Sequence, residues 1–127
     1  APSEIEIAGG IYHPEPEELR RLRSYLDEHH AELRRILAHR GIRAKLGALQ
    51  GEEVSRLPRG FAADHPAADF LRKKDLILDV SLPEEFALRS ELLREITTRF
   101  RLMLPFVEFL NRPLLSAAAK PEFYFET

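Results

Sequence analysis

The sequence predicts an α+β fold, in which a small antiparallel sheet is covered by several amphipathic helices. Two stretches alternate apolar and polar residues, as half-buried strands do. Longer segments repeat leucine and isoleucine every three or four residues, as helices with one buried face do. A chain of 127 residues has room for one hydrophobic core, so we expect a single module.

The first strand is expected from about residue 4 to residue 12, where three isoleucines alternate with polar neighbours. Gly9 and Gly10 interrupt this alternation. Glycine inside a strand often marks a place where another backbone or a ligand comes unusually close. We therefore expect a close neighbour at this point of the strand.

The segment His13-Pro14-Glu15-Pro16 should end the strand and start a helix. A residue before proline is held extended, and proline is tolerated in the first turn of a helix. A stripe of leucine and isoleucine then reaches about Ala38. The stripe fits either one helix or two helices broken near His29 and His30, with Gly41 as the C-terminal cap.

The middle of the chain reads as turns followed by the second strand. Residues 42 to 62 lack periodicity and contain four glycine or proline residues, so we expect short turns there. Asp64 could then cap a short helix that reaches Leu71. Apolar and polar residues alternate again at about 75–81, which predicts the second strand.

The last third of the chain predicts a long helix and a tail. Ser81 and Glu84 have the spacing of a capping box that would start this helix. A broad apolar face runs from Leu92 to Leu110, and Pro105 should kink or divide it because proline removes a backbone hydrogen bond. The tail, residues 116–127, contains three consecutive aromatic residues that could add a short strand.

Composition argues against several classes of function. Nineteen Lys and Arg against 21 Asp and Glu leave a formal net charge of -2, so no global field attracts nucleic acid or an anionic membrane. The apolar runs are too short to cross a bilayer, and no export leader opens the chain. Cysteine is absent, which excludes disulfides and thiol chemistry. We expect a cytoplasmic protein without nucleic-acid or membrane partners.

A sheet of two strands is marginal in water unless helices or further strands complete it. Each strand also has an edge that invites pairing. Either the two strands pair with each other under the helices, or partner strands come from a second copy or from a missing part of the same protein. Self-association or contact with an absent segment is therefore an expected form of partnership.

Three segments resemble, in this order, the second half of the bacterial family called domain of unknown function 2461: GGIYHPEPEELRRLR, LPRGFAADHPAADFLRKKDLIL and LPFVEFLNRPL. The similarity covers roughly residues 5 to 115. The resemblance implies that residues 1–115 form a C-terminal half, whose first strand would join strands of an absent N-terminal half. It also implies that the main functional site, with the family signature Arg-x-x-Arg-Asp-x-Arg-Phe, lies outside this sequence. No activity is implied.

Four residues are candidates for binding an anion or another ligand: His13, Arg59, His65 and Lys73. His13 lies at a strand end, a common address for ligand contacts, although the same residue could simply make the turn. Arg59 and Lys73 flank the segment 58–71 and could hold a phosphate. Ordinary surface charge is the simpler explanation, since a few scattered cations are weak evidence for binding.

Metal binding and catalysis find little support in the sequence. His65 and Asp69 are four residues apart, so a helix would place them on one face, as in half of a metal site. A catalytic zinc needs three protein ligands, and no further histidine has suitable spacing. No nucleophile elbow or phosphate-binding glycine loop is present. We expect no metal and no cofactor, and catalytic residues stay unidentified.

The sequence favours the structural or interaction half of an uncharacterised bacterial protein. The alternative is part of an enzyme or binding protein for an anionic small molecule, with the main site in the absent N-terminal half.

Overall fold

The computed structural model describes residues 4–83, 91–117 and 122–126. The described part contains three strands and four α-helices, which confirms the predicted α+β class. In chain order the elements are β1 (Glu4–Ile11), α1 (Pro16–Ala38), α2 (Arg40–Lys45), α3 (Ala68–Leu71), β2 (Leu76–Pro83), α4 (Leu92–Asn111), a 3-10 helix (Arg112–Ala117) and β3 (Glu122–Glu126). No helix in these ranges is long and apolar enough to cross a membrane.

The sheet has the strand order β2-β1-β3, and both pairings are antiparallel. β1 pairs with β2 along its whole length and with β3 over Glu6–Gly10. The two strands expected from alternation therefore exist and pair with each other. The resemblance implied that β1 pairs with strands of an absent N-terminal half. Over Glu6–Gly10 this expectation is wrong, because β2 and β3 already pair with both edges of β1 there.

The outer edge of β2 is partly covered by the preceding loop. Gln50 and Ile77 exchange two backbone hydrogen bonds of 2.8 and 3.0 Å. The side chain of Gln50 also donates to the carbonyl of Asp79 at 2.9 Å. Pro83 ends the strand without an N–H group. These features block much of the edge against further strands, as edge strands of natural proteins commonly require.

Gly10 explains how β1 and β2 approach each other so closely. Its φ is +135°, and a Cβ atom at this position would fall 2.1 Å from the carbonyl oxygen of Leu76. No side chain fits at that distance, so only glycine is accommodated. The close neighbour expected from the glycine pair is confirmed at Gly10, and it is the partner strand β2.

The core lies between one face of the sheet and the helices. Residues directly opposite in an antiparallel pair share a face, so the isoleucines of β1 meet the leucines of β2 on the side of α1 and α4. Each such buried aliphatic side chain contributes roughly 1.5–3 kcal/mol. The fully buried members include Ile5, Ile7, Leu76 and Leu78 of the sheet, Leu22, Leu26 and Leu33 of α1, and Met103, Phe106 and Phe109 of α4.

Helix α1 resolves the alternative that the sequence left open. It begins at Pro16 with the backbone N–H of Glu15 bonded to the side chain of Glu18 at 2.9 Å. At His29 the backbone is non-helical, with φ -120° and ψ 15°, so two helical pieces meet at a kink. The predicted break is therefore confirmed, within one continuous element.

The predicted cap at Gly41 is wrong. Gly41 lies inside α2, and its N–H donates to the ring Nδ1 of His39 at 3.1 Å. Since His39 supplies this bond, the chain ends α1 at Ala38 and immediately starts a second, short helix. Six residues are too few to show an apolar period, which is why the sequence suggested only turns here.

Two further cap predictions are also wrong. Helix α3 starts at Ala68 rather than near Asp64, and the ring of His65 accepts the N–H of Ala67 at 2.9 Å. Ser81 lies inside β2 opposite Glu6, because the pairing of β2 with β1 continues to Pro83. The other half of that capping box, residue 84, lies outside the described residues.

Pro105 does not divide the last helix. α4 continues from Leu92 to Asn111 with Pro105 inside it. Phe106 and Phe109, just beyond the proline, are fully buried in the core. Tertiary packing of these side chains offsets the backbone hydrogen bond that proline cannot make.

Candidate functional site

A cavity of about 520 Å³ lies among α1, α2, the loop that follows α2, and α3. Small-molecule sites commonly have volumes of about 300–1,000 Å³. The lining combines apolar side chains with four charged ones. It consists of Leu37, Arg43, Gly47, Ala48, Leu49, Glu53, Asp69, Phe70 and Lys73.

One wall of the cavity is formed by the loop after α2, which runs antiparallel to the segment just before β2. The N–H of Val54 donates to the carbonyl of Arg72 at 2.8 Å, and the N–H of Lys74 donates to the carbonyl of Glu52 at 2.7 Å. At Gly51, φ is +140° and a Cβ atom would fall 2.0 Å from the carbonyl oxygen of Asp75. Glycine is therefore required for the loop to lie this close.

Lys73 is fixed on this wall. Its side chain is 13% exposed, and its Nζ lies 3.2 Å from Oε2 of Glu53, whose side chain is 50% exposed. Nζ also donates to the carbonyl of Gly51 at 3.3 Å. The ammonium group is thus largely removed from water, and its anionic partner is a surface side chain.

Asp69 is neutralised by a fork of hydrogen bonds from α1. Nη1 and Nη2 of Arg34 donate to its two carboxylate oxygens at 3.0 and 2.7 Å. Partial burial raises the pKa of Asp69, but the bonds and charge of Arg34 outweigh it and lower the pKa below its usual value. The same guanidinium lies 4.4 Å from the ring centre of Phe70.

Arg43 differs from the other charged residues of the lining. Its side chain is exposed, and it forms no ion pair within the described ranges 4–83, 91–117 and 122–126. Arg43 was not predicted from the sequence, because it lies in the segment without periodicity. Arg43 and Lys73 line the same cavity, and no spacing rule links two residues so far apart in the chain.

Of the four residues proposed from the sequence, Lys73 alone lines this cavity. His65 fastens the loop before α3 to α1 instead. Its Nδ1 accepts the N–H of Ala67 at 2.9 Å, so Nε2 carries the proton and donates to Oδ1 of Asp27 at 2.5 Å. Both ring nitrogens therefore have partners in the protein.

His13 and Arg59 are placed elsewhere. The backbone N–H of His13 donates to Oδ1 of Asp75 at 2.7 Å, while its ring is 83% exposed. His13 also has a φ of +45°, in the left-handed region. Arg59 is exposed in a turn beside Gly60 and has no side-chain partner in the described part of the chain.

A second group of titratable side chains lies on the opposite face of the sheet. The pKa of Glu6 is raised, because its side chain is hydrogen-bonded to Asp79, lies near the negative charge of Asp79 and is partly buried. The two residues lie on the face shared by Ala8, since Ala8 pairs directly with Asp79. Within the described residues, no three histidine or carboxylate side chains are grouped so as to hold a metal ion.

The described residues form a small α+β domain that contains this cavity, lined by apolar and charged side chains. A family model described as conserved hypothetical protein (DUF2461) matches residues 1–109, and the chain belongs to this family. This is the family that the three sequence segments resemble. No curated protein and no solved structure matches the chain.

Proposed function

We propose that the chain binds a small anionic molecule in the cavity lined by Arg43 and Lys73. The single observation that supports this proposal is that two cationic side chains line a cavity whose two carboxylates, Glu53 and Asp69, are already paired and whose other side chains are mainly apolar. A buried ammonium group requires an anionic or hydrogen-bonding partner. In the structure Glu53 and the carbonyl of Gly51 are the partners of Lys73; a ligand anion can take the place of Glu53, and the apolar side chains can cover the rest of the ligand.

The balance of charge around the cavity supports an anion rather than a cation. Asp69 is neutralised by Arg34, and Glu53 is matched by Lys73. The four charged side chains of the lining sum to zero, and counting Arg34, which pairs with Asp69 from outside the lining, leaves one positive charge, that of Arg43. Hydrogen bonds to charged groups contribute about 1.5–3 kcal/mol each, which is enough to orient a small ligand.

Thermal unfolding with inorganic phosphate as the probe tests this proposal. Saturating phosphate should raise the melting temperature of the wild-type protein, because a ligand at about 100 times its Kd adds about 2.7 kcal/mol. Lys73→Met should abolish the rise. Lys74→Met is the matched control, since Lys74 is the exposed neighbour and does not line the cavity. No rise in the wild type, or equal rises in both variants, would contradict the proposal.

A second candidate is an interaction module that associates with itself or with the N-terminal half of a longer bacterial protein. The order of the three resembling segments supports the assignment as a C-terminal half. Two further observations favour an interaction: Leu93 on α4 is 74% exposed, and β3 pairs with β1 along one edge and with no other described strand. Light scattering tests self-association. A mass of 14.6 kDa, that of one chain, at all protein concentrations would argue against it.

A further inference from the structure

We propose that Glu53 competes with the ligand for Lys73, because its carboxylate pairs with the ammonium group that the ligand would bind. The ligand that displaces Glu53 carries a dianionic phosphate on an apolar or aromatic body. This inference rests on the proposed anion-binding function and specifies how the same cavity selects its ligand.

The first step of the argument is the unequal burial of the two partners. The side chain of Lys73 is 13% exposed, whereas that of Glu53 is 50% exposed. Glu53 is half exposed, so water can solvate its carboxylate once it leaves Lys73. Lys73 is largely buried and its Nζ also donates to the carbonyl of Gly51, so it stays in place more readily than Glu53. An incoming anion therefore replaces Glu53 at a fixed ammonium group.

The second step is the charge that the ligand meets once Glu53 has moved. Arg43 and Lys73 then both lack a protein carboxylate, while Asp69 keeps its partner Arg34. Two uncompensated positive charges match a phosphate monoester, which carries about -1.5 to -2 at pH 7. A monocarboxylate neutralises one of them. Arginine also presents a fork of donors that fits phosphate oxygens.

The third step is the size and chemistry of the remaining lining. Leu37, Leu49 and Phe70 provide apolar surface beside the two cations. A volume of about 520 Å³ leaves room for a group attached to the phosphate. The ligand is therefore a phosphate attached to an apolar body, in which the body displaces water from these side chains.

Isothermal titration calorimetry with phenyl phosphate, benzoate and inorganic phosphate tests the inference. The wild-type protein should bind phenyl phosphate more tightly than either of the other two probes. Glu53→Gln should tighten phenyl phosphate binding about two- to fivefold, the factor that corresponds to loss of a competing surface ion pair. Glu52→Gln is the matched control, since Glu52 is exposed and does not line the cavity, and it should leave the affinity unchanged.

The possible failures are distinguishable. If phenyl phosphate binds but Glu53→Gln leaves its affinity unchanged or weaker, the competitor role of Glu53 is overturned. Benzoate binding as tightly as phenyl phosphate would overturn the selection of a dianion. If none of the three probes binds the wild type or Glu53→Gln, the proposed function itself fails. Melting curves of each variant without ligand verify that its fold is intact.

Discussion

Replacing Asp75 by alanine should lower the free energy of unfolding by about 2 kcal/mol, because a hydrogen bond to a charged group contributes about 1.5–3 kcal/mol. The bond in question joins the N–H of His13 to Oδ1 of Asp75 at 2.7 Å. Asp75 is 4% exposed, so its carboxylate is removed from water in the folded protein. The same bond holds His13 at a φ of +45°, which a non-glycine residue adopts only at a cost.

Urea unfolding followed by circular dichroism measures this change, which corresponds to about 6–10 °C in melting temperature for a domain of this size. Asp75→Asn keeps an uncharged acceptor and should lose about half as much, since neutral hydrogen bonds are roughly half as strong. His13→Gly keeps the N–H donor and adopts positive φ freely, so it should change stability by less than about 0.5 kcal/mol. A loss below about 0.5 kcal/mol in Asp75→Ala would refute the reasoning.

Two other predictions concern the sheet and the cavity wall. Gly10→Ala should cost about 3 kcal/mol or more, because the new Cβ would meet the carbonyl of Leu76 at 2.1 Å. Gly60→Ala, also at positive φ but with no atom within 4 Å, should cost about 1 kcal/mol in the same urea assay; equal costs would contradict the contact. Folding lowers the pKa of Asp69 below its ordinary value of 3.8. Its carboxylate therefore stabilises the protein at pH values above 3.8, and this stabilisation is lost as the pH falls through the lowered pKa. The stability difference between wild type and Asp69→Asn should therefore stay within about 1 kcal/mol at pH 7, since the pair is partly exposed, and shrink in acid; a difference that grows in acid would contradict this sign.

The strands were predictable because their signal is local. Alternation of apolar residues placed β1 and β2 to within two residues of Glu4–Ile11 and Leu76–Pro83. The kink at His29 was one of the two alternatives that the sequence left open. These features depend on the backbone period and on neighbours in the chain, which a sequence displays directly.

The cavity was not predictable, because it depends on contacts between distant segments. Lys73 was noticed for its charge, but its partner Glu53 and the opposite cation Arg43 lie in a segment without periodicity. His65 looked like a ligand because histidine near a carboxylate resembles a site. Its carboxylate proved to be Asp27, on a different helix, and the bond between them ties the loop to α1.

β3 bears directly on the expectation that β1 needs a further strand. The family match ends at residue 109, whereas β3 runs from Glu122 to Glu126. The strand that completes the second edge of β1 therefore comes from outside the matched residues. Because a central strand is paired on both sides, it leaves no backbone groups open to a foreign strand over Glu6–Gly10. A two-stranded ribbon is marginal in water, and from this the sequence predicted closure by a segment outside the chain; over Glu6–Gly10 that prediction is wrong, because the tail of this chain supplies the strand.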